Sequence, residues 1–81
     1  MSVITGSQIR VARAFLRWSA NRLATESKLG IATVRRAEAE DGVPPIGATS
    51  IDNLQRVLEA AGILFVDDND NGPGVRCRKP K

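Results

Sequence analysis

Residues 17–40, "RWSANRLATESKLGIATVRRAEAE", decide how this chain is read. They carry two helical patterns separated by Ser27-Lys28-Leu29-Gly30. In the first, Ser19 is placed as a cap, and Leu23 and Ala24 are the inward residues of a short helix ending near Ser27. The second runs from about Ile31 to Glu40. Rotation of about 100° per residue sets Ile31, Arg35, Ala32 and Arg36 at about 0°, 40°, 100° and 140°, which is one stripe. Val34 and Ala37, at about 300° and 240°, face the other way, toward Leu23 and the preceding helix. Two small or apolar residues and two arginines make a poor solvated face. They make a good reader of a DNA major groove, where apolar side chains meet thymine methyls and guanidinium forks pair with guanine O6 and N7. The plainer alternative is that Ile31 packs inward and the arginines only solubilise.

On the N-terminal side, Thr5 or Ser7 is an N-cap, with Gln8 completing a capping box. A helix follows to about Arg17, with Ile9, Ala12, Phe15 and Leu16 as its inward residues and Arg10, Arg13 and Arg17 between them. On the C-terminal side, "DGVPPIGATS" (41–50) is a loop, because two prolines and two glycines fit neither regular element. Thr49 to Asp52 reads as the capped start of a fourth helix, with an apolar stripe of Ile51, Leu54, Val57, Leu58 and Ala61 and with Gly62 as its stop. "ILFV" (63–66) is short and β-prone, "DDNDNGPG" (67–74) is a turn, and "VRCRK" (75–79) alternates at period two. These three segments predict a β-hairpin. The expected fold is one mostly α domain over residues 1–81, with a helical core at 7–62 and a C-terminal hairpin at 63–79.

Composition fits that reading. Eighty-one residues make one modest core, and 42% are apolar with only three aromatics, so the core is aliphatic. A single cysteine, Cys77, excludes an internal disulfide and favours a reducing compartment. With no histidine, no usual zinc set exists, and neither a metal nor another cofactor is expected. No apolar run reaches the roughly 18 residues of a membrane span, and Met1 to Gly6 is no signal peptide, so the expectation is a cytoplasmic, nucleoid-associated protein with no membrane partner. The net charge is +3. Residues 1–41 hold seven basic and four acidic side chains, whereas residues 42–81 hold five of each. All the excess positive charge therefore lies in the half with the paired helices, which suits a polyanionic partner. A second basic group, Arg76, Arg78, Lys79 and Lys81, ends the chain.

The first helix, "WSANRLATESKLGIATVRRAE", the loop and the fourth helix together resemble the Cro/C1-type (repressor-like) helix-turn-helix family. Its members include small regulators of bacterial genomes and mobile elements. The match spans about residues 7–62. It rests on Leu23-Ala24, on Leu29 within the turn, and on Val34, Ala37 and Glu38 at the family's spacing. Arg13 and Glu38 match an ion pair often seen in the family between helices one and three, where it clamps the two. The tail from Ala60 looks like the hairpin ending of such regulators. By resemblance, the N-terminal end of the third helix enters the major groove, and Ile31, Ala32, Thr33 and Arg36 match base-contacting positions, with Gly30 as the cap beside them. Arg35 falls at a phosphate or flanking position, and Lys28, in the turn, is a further expected DNA-binding residue. Three positions depart from the family pattern. Lys28 stands where the turn usually has glycine, and either it adopts positive φ at a cost of about 1 kcal/mol or Gly30 absorbs the turn. Gly30 stands where serine or threonine usually caps. Ala20 replaces a glutamine that commonly touches phosphate.

Other motifs carry less. Asp67 to Gly72 copies the first half of an EF-hand loop, but the twelfth position is Arg78 rather than a bidentate glutamate, so a polar turn is the better reading. Trp18 suits helix packing better than base stacking, and Cys77 suits a small apolar filler. No histidine, no tyrosine and no Gly-rich phosphate loop before a helix leaves enzymatic function unsupported. The expected function is a sequence-specific transcriptional regulator, a homodimeric repressor binding double-stranded DNA at an inverted repeat. A lone domain of this size makes too few base contacts, and the hairpin is the candidate dimerisation element. The alternative is a module that sequesters a protein partner, as an antitoxin or antiactivator does.

Overall fold

The computed structural model describes residues 4–66 and 74–77. Four helices, α1 (Gly6–Leu16), α2 (Ala20–Ser27), α3 (Ile31–Ala39) and α4 (Ala48–Ala60), precede the strands β1 (Ile63–Val66) and β2 (Gly74–Cys77). The architecture is mostly α with a small antiparallel hairpin. Turn residues 67–73 and the basic end at 78–81 lie outside the described residues. So do the EF-hand-like segment and the last two residues of the expected hairpin.

Each helix begins where its local chemistry predicts, with one exception. Thr5 caps α1: its Oγ1 accepts from the Gln8 N–H at 3.2 Å, and Gln8 Oε1 accepts from the Thr5 N–H at 2.8 Å. Ser19 caps α2 by accepting from the Arg22 N–H. The exception is α4, which starts at Ala48 on a Gly47 cap that offers no side chain, ahead of the expected start at Thr49 to Asp52. Ile46 and an extended Gly47 follow Pro44-Pro45, and the helix then propagates from Ala48 without a side-chain cap. At the other end Gly62 takes φ 109°, so the helix does stop on a glycine.

The core is aliphatic. Ile9 and Ala12 of α1, Leu23 and Ala24 of α2, Val34 and Ala37 of α3, Leu54 and Leu58 of α4, and Ile63 of β1 form one buried cluster with Ile4. The hairpin register sets Ile63 opposite Cys77, Leu64 opposite Arg76, Phe65 opposite Val75 and Val66 opposite Gly74. β1 packs on α4 and β2 on α1, with Phe65 and Val75 lying against the core and Leu64 exposed. The hairpin is therefore part of the core and not an appendage to it.

Phe15 departs from expectation: it is 51% exposed rather than inward. It projects from α1 within about 20° of Gln8, seven residues earlier. Gln8 is buried because the hairpin lies on it, and Phe15, two turns further along, is left in solvent. Among the described residues, no helix is long and apolar enough to cross a membrane, and no cluster of His, Cys, Asp or Glu could hold a metal ion.

Candidate nucleic-acid interface

The α2–turn–α3 unit is built from its buried side outward. Leu23 and Ala24 anchor α2, and the Ser27 hydroxyl, itself buried, donates to the Leu23 carbonyl at 2.7 Å. The chain then reverses at Lys28, with φ 60° and ψ 35°, while the Leu29 N–H donates back to the Ala24 carbonyl at 3.0 Å. Leu29 is half-buried against the core. Gly30 has φ −71° and caps α3 without a side chain. Of the two alternatives for the turn, the left-handed conformation falls on Lys28, and Gly30 does not absorb it. A Cβ on Gly30 would meet nothing within 4 Å, so neither sterics nor backbone geometry demands glycine there.

Two arginines of α1 fix α3. Arg13 forms a fork on Glu38, Nε to Oε2 at 2.8 Å and Nη2 to Oε1 at 2.9 Å, and its Nη1 donates to the Trp18 carbonyl at 3.0 Å. The hydrogen bond to Glu38 holds the Arg13 guanidinium's pKa above its ordinary value, against desolvation and with the carboxylate's charge helping. Arg10 donates to the Glu38 carbonyl and pairs with Asp41 at 2.5 Å. The expected ion pair is thus present, and a second arginine joins it at the same end of α3. Gly6 makes the fit possible. A Cβ there would sit 1.9 Å from the Glu40 carbonyl oxygen and 2.4 Å from that of Ala37, so only glycine lets α1 approach the end of α3 this closely.

The outward face of α3 differs in one respect from the expected stripe. Ala32, Arg35 and Arg36 are exposed and Thr33 is half-buried, but Ile31 is half-buried and packs on the core. Ile31 is three residues before Val34, about 60° from it around the helix, so it borders the buried side. Ala32, Arg35 and Arg36 carry the exposed stripe, with Ala39 continuing it.

Charge pairing sharpens the picture. Arg10, Arg13, Arg22 and Arg56 each pair with a carboxylate, namely Asp41, Glu38, Glu26 and Asp52. Arg22 also lies over the Trp18 ring, 4.7 Å from its centroid, and Trp18 is half-buried against the core as a packing residue. Arg17, Lys28, Arg35 and Arg36 are exposed and make no ion pair with a described residue. The uncompensated positive charge of the described residues thus gathers on α3, on the turn before it, and at the junction of α1 with α2. Arg17 was not singled out from sequence. Its signal is the residue's place one step past a helix end, in the left-handed conformation (φ 58°). Chemically, the arrangement offers guanidinium forks to paired acceptors and point charges to phosphates. No known family, no curated protein and no solved structure matches this chain.

Proposed function

We propose that the protein is a DNA-binding transcriptional regulator of the Cro/C1 helix-turn-helix type. It acts as a homodimeric repressor at an inverted repeat and has no catalytic role. One observation carries this reading. Carboxylates neutralise Arg10, Arg13, Arg22 and Arg56, whereas Arg35 and Arg36 stay exposed beside Ala32 with no ion pair to a described residue, on a helix whose opposite face is locked to α1. With α3 in the major groove, Arg36 reads a guanine, Ala32 and Thr33 contact neighbouring base edges, and Arg35 takes a phosphate. Ile31, half-buried, contributes only its outer edge, and Gly30 and Lys28 border the groove. A cytoplasmic, nucleoid-associated location follows from such a role.

Selection of bound duplexes from a random pool is the direct test, and the enriched sequence should be an inverted repeat. Arg36→Ala should cost about 1–3 kcal/mol of specific binding and relax preference at one base position per half-site. Arg35→Ala should weaken specific and random DNA alike. A protein that enriches no sequence, and whose binding ignores both substitutions, is not a reader of this kind.

A second reading, capture of a protein partner as an antitoxin or antiactivator does, draws on a different observation: Val11, Phe15, Val43 and Leu64 are large apolar side chains left exposed. Salt separates the two. Phosphate-driven binding weakens steeply as salt rises, and apolar docking does not.

A further inference from the structure

Among the described residues, the non-glycine positions with positive φ are Arg17, at 58°, and Lys28, at 60°. They share three further properties. Each is the residue immediately after a helix, where glycine is the low-cost choice. Each is exposed and makes no hydrogen bond or ion pair through its side chain with a described residue. And the two bracket α2, Arg17 three residues before its start and Lys28 just after its end. No described residue hydrogen-bonds or pairs with either side chain, yet both are held in a conformation that penalises them relative to glycine. Strain that no described contact offsets points to a use of the side chain outside the fold.

We infer that Arg17 and Lys28 are a pair of phosphate contacts, one at each end of α2, and this rests on the DNA-binding reading above. α2 has eight residues, so at 1.5 Å per residue it spans roughly 12 Å. The major groove of B-DNA is about 12 Å wide. A helix of that length, packed across a reading helix that lies in the groove, brings its two ends over the phosphate strands on either side. The long arginine and lysine stems cover the remaining distance. These contacts read no sequence, and they add electrostatic affinity and fix the register of α3.

Glycine and alanine separate strain from charge. Arg17→Gly and Lys28→Gly remove both, whereas Arg17→Ala and Lys28→Ala remove the charge and keep the conformational penalty. The measurements are the thermal midpoint and the salt dependence of binding to a random-sequence duplex, followed by fluorescence anisotropy. Each glycine variant should melt at the wild-type temperature or up to about 5 °C above it. Every single variant should bind about eightfold more weakly at 0.1 M salt per protomer bound, with the slope of log K against log salt reduced by about 0.9, and the double variant by twice that. Variants that keep the wild-type slope on a duplex that wild type binds would overturn the pair while leaving the DNA reading intact. So would glycine variants that melt well below wild type, since the side chains would then serve the fold. Wild-type protein with no salt-dependent affinity for any duplex would overturn the DNA reading and the pair together.

Discussion

Gln8 is the side chain on which the assembly of the hairpin onto the helices turns. It is 5% exposed, and every polar atom of its amide is used. Oε1 accepts from the Thr5 backbone, while Nε2 donates to the Gly74 carbonyl at 2.9 Å and to the Val66 carbonyl at 3.2 Å. Gln8→Glu keeps the shape and the cap but replaces a two-proton donor with a carboxylate facing two carbonyl oxygens. Each carbonyl that loses its buried partner costs about 1–3 kcal/mol, and the unpaired charge adds to this, so about 3 kcal/mol in total is a conservative figure at pH 7. For a domain of this size that lowers the melting midpoint by roughly 12–24 °C. The new carboxyl is disfavoured as an anion, so its folded pKa is raised above the ordinary glutamate value of about 4.3. The folded state then holds its proton more tightly than the unfolded state. Hence the penalty is complete above the folded pKa and shrinks as pH falls toward about 4.3. Thermal melts of wild type and variant by far-UV circular dichroism, compared pH by pH, isolate this difference from the other carboxylates. A gap under about 0.5 kcal/mol at pH 7, or one that widens on acidification, would refute the argument.

Three further outcomes are expected. Gly6→Ala should cost about 2–3 kcal/mol in denaturant titration, because its Cβ, 1.9 Å from the Glu40 carbonyl oxygen, forces α1 away from α3 by more than the small gain in helix propensity repays; a neutral result would mean the two helices part freely. Arg13→Ala and Glu38→Ala should each cost roughly 1–3 kcal/mol, and the double variant less than the sum, since each single change strands the other charge in a partly buried site; strict additivity would show the fork contributes nothing as a pair. If the proposed dimer forms through the hairpin and the surface beside it, then Leu64→Lys and Phe15→Glu should leave the melting profile near wild type and shift sedimentation to the monomer. Dimers that survive both substitutions would place the two-fold contact elsewhere, with Leu54 and Leu58 excluded by their complete burial.

Periodicity and capping chemistry made most of the helical architecture legible. Thr5 with Gln8, Ser19, and the alternation of Leu23-Ala24 with Val34-Ala37 are local signals, and local signals survive tertiary assembly when they agree with it. What the sequence did not reveal depends on what lies opposite. Phe15 has the spacing of a core residue, and only the extent of the hairpin decides that it is uncovered. Ile31 has the spacing of the outer stripe, and its proximity to Val34 draws it half inward. Gly6 and the amide of Gln8 read as ordinary helix-start residues, because neither the end of α3 nor the hairpin carbonyls are visible from their neighbours in sequence. Lys28 is the reverse case. Resemblance pointed to a glycine-type turn at that position, and the backbone takes it on a lysine.

The stability devices and the candidate site are therefore not independent. Glu38 receives both of its carboxylate bonds from Arg13, its backbone carbonyl is held by Arg10, and the last turn of α3 rests on Gly6. All of these restraints act on the inner face and the C-terminal end of one nine-residue helix. They fix its roll, and a roll error matters there more than elsewhere, because Ala32, Arg35 and Arg36 occupy an arc of only about 100°. A rotation by a third of that arc would carry a guanidinium fork out of the plane of a base edge, and planar two-point pairing tolerates little such error. Substitutions at Arg13, Glu38 or Gly6 that leave the protein folded should for this reason relax sequence preference before they abolish affinity, since phosphate contacts through Arg17 and Lys28 lie outside the rotated arc. Binding-site selection repeated with Glu38→Gln, which keeps the size and part of the hydrogen bonding, is the direct measurement. Retained sharpness at the base position assigned to Arg36 would show that the inner clamp serves stability alone.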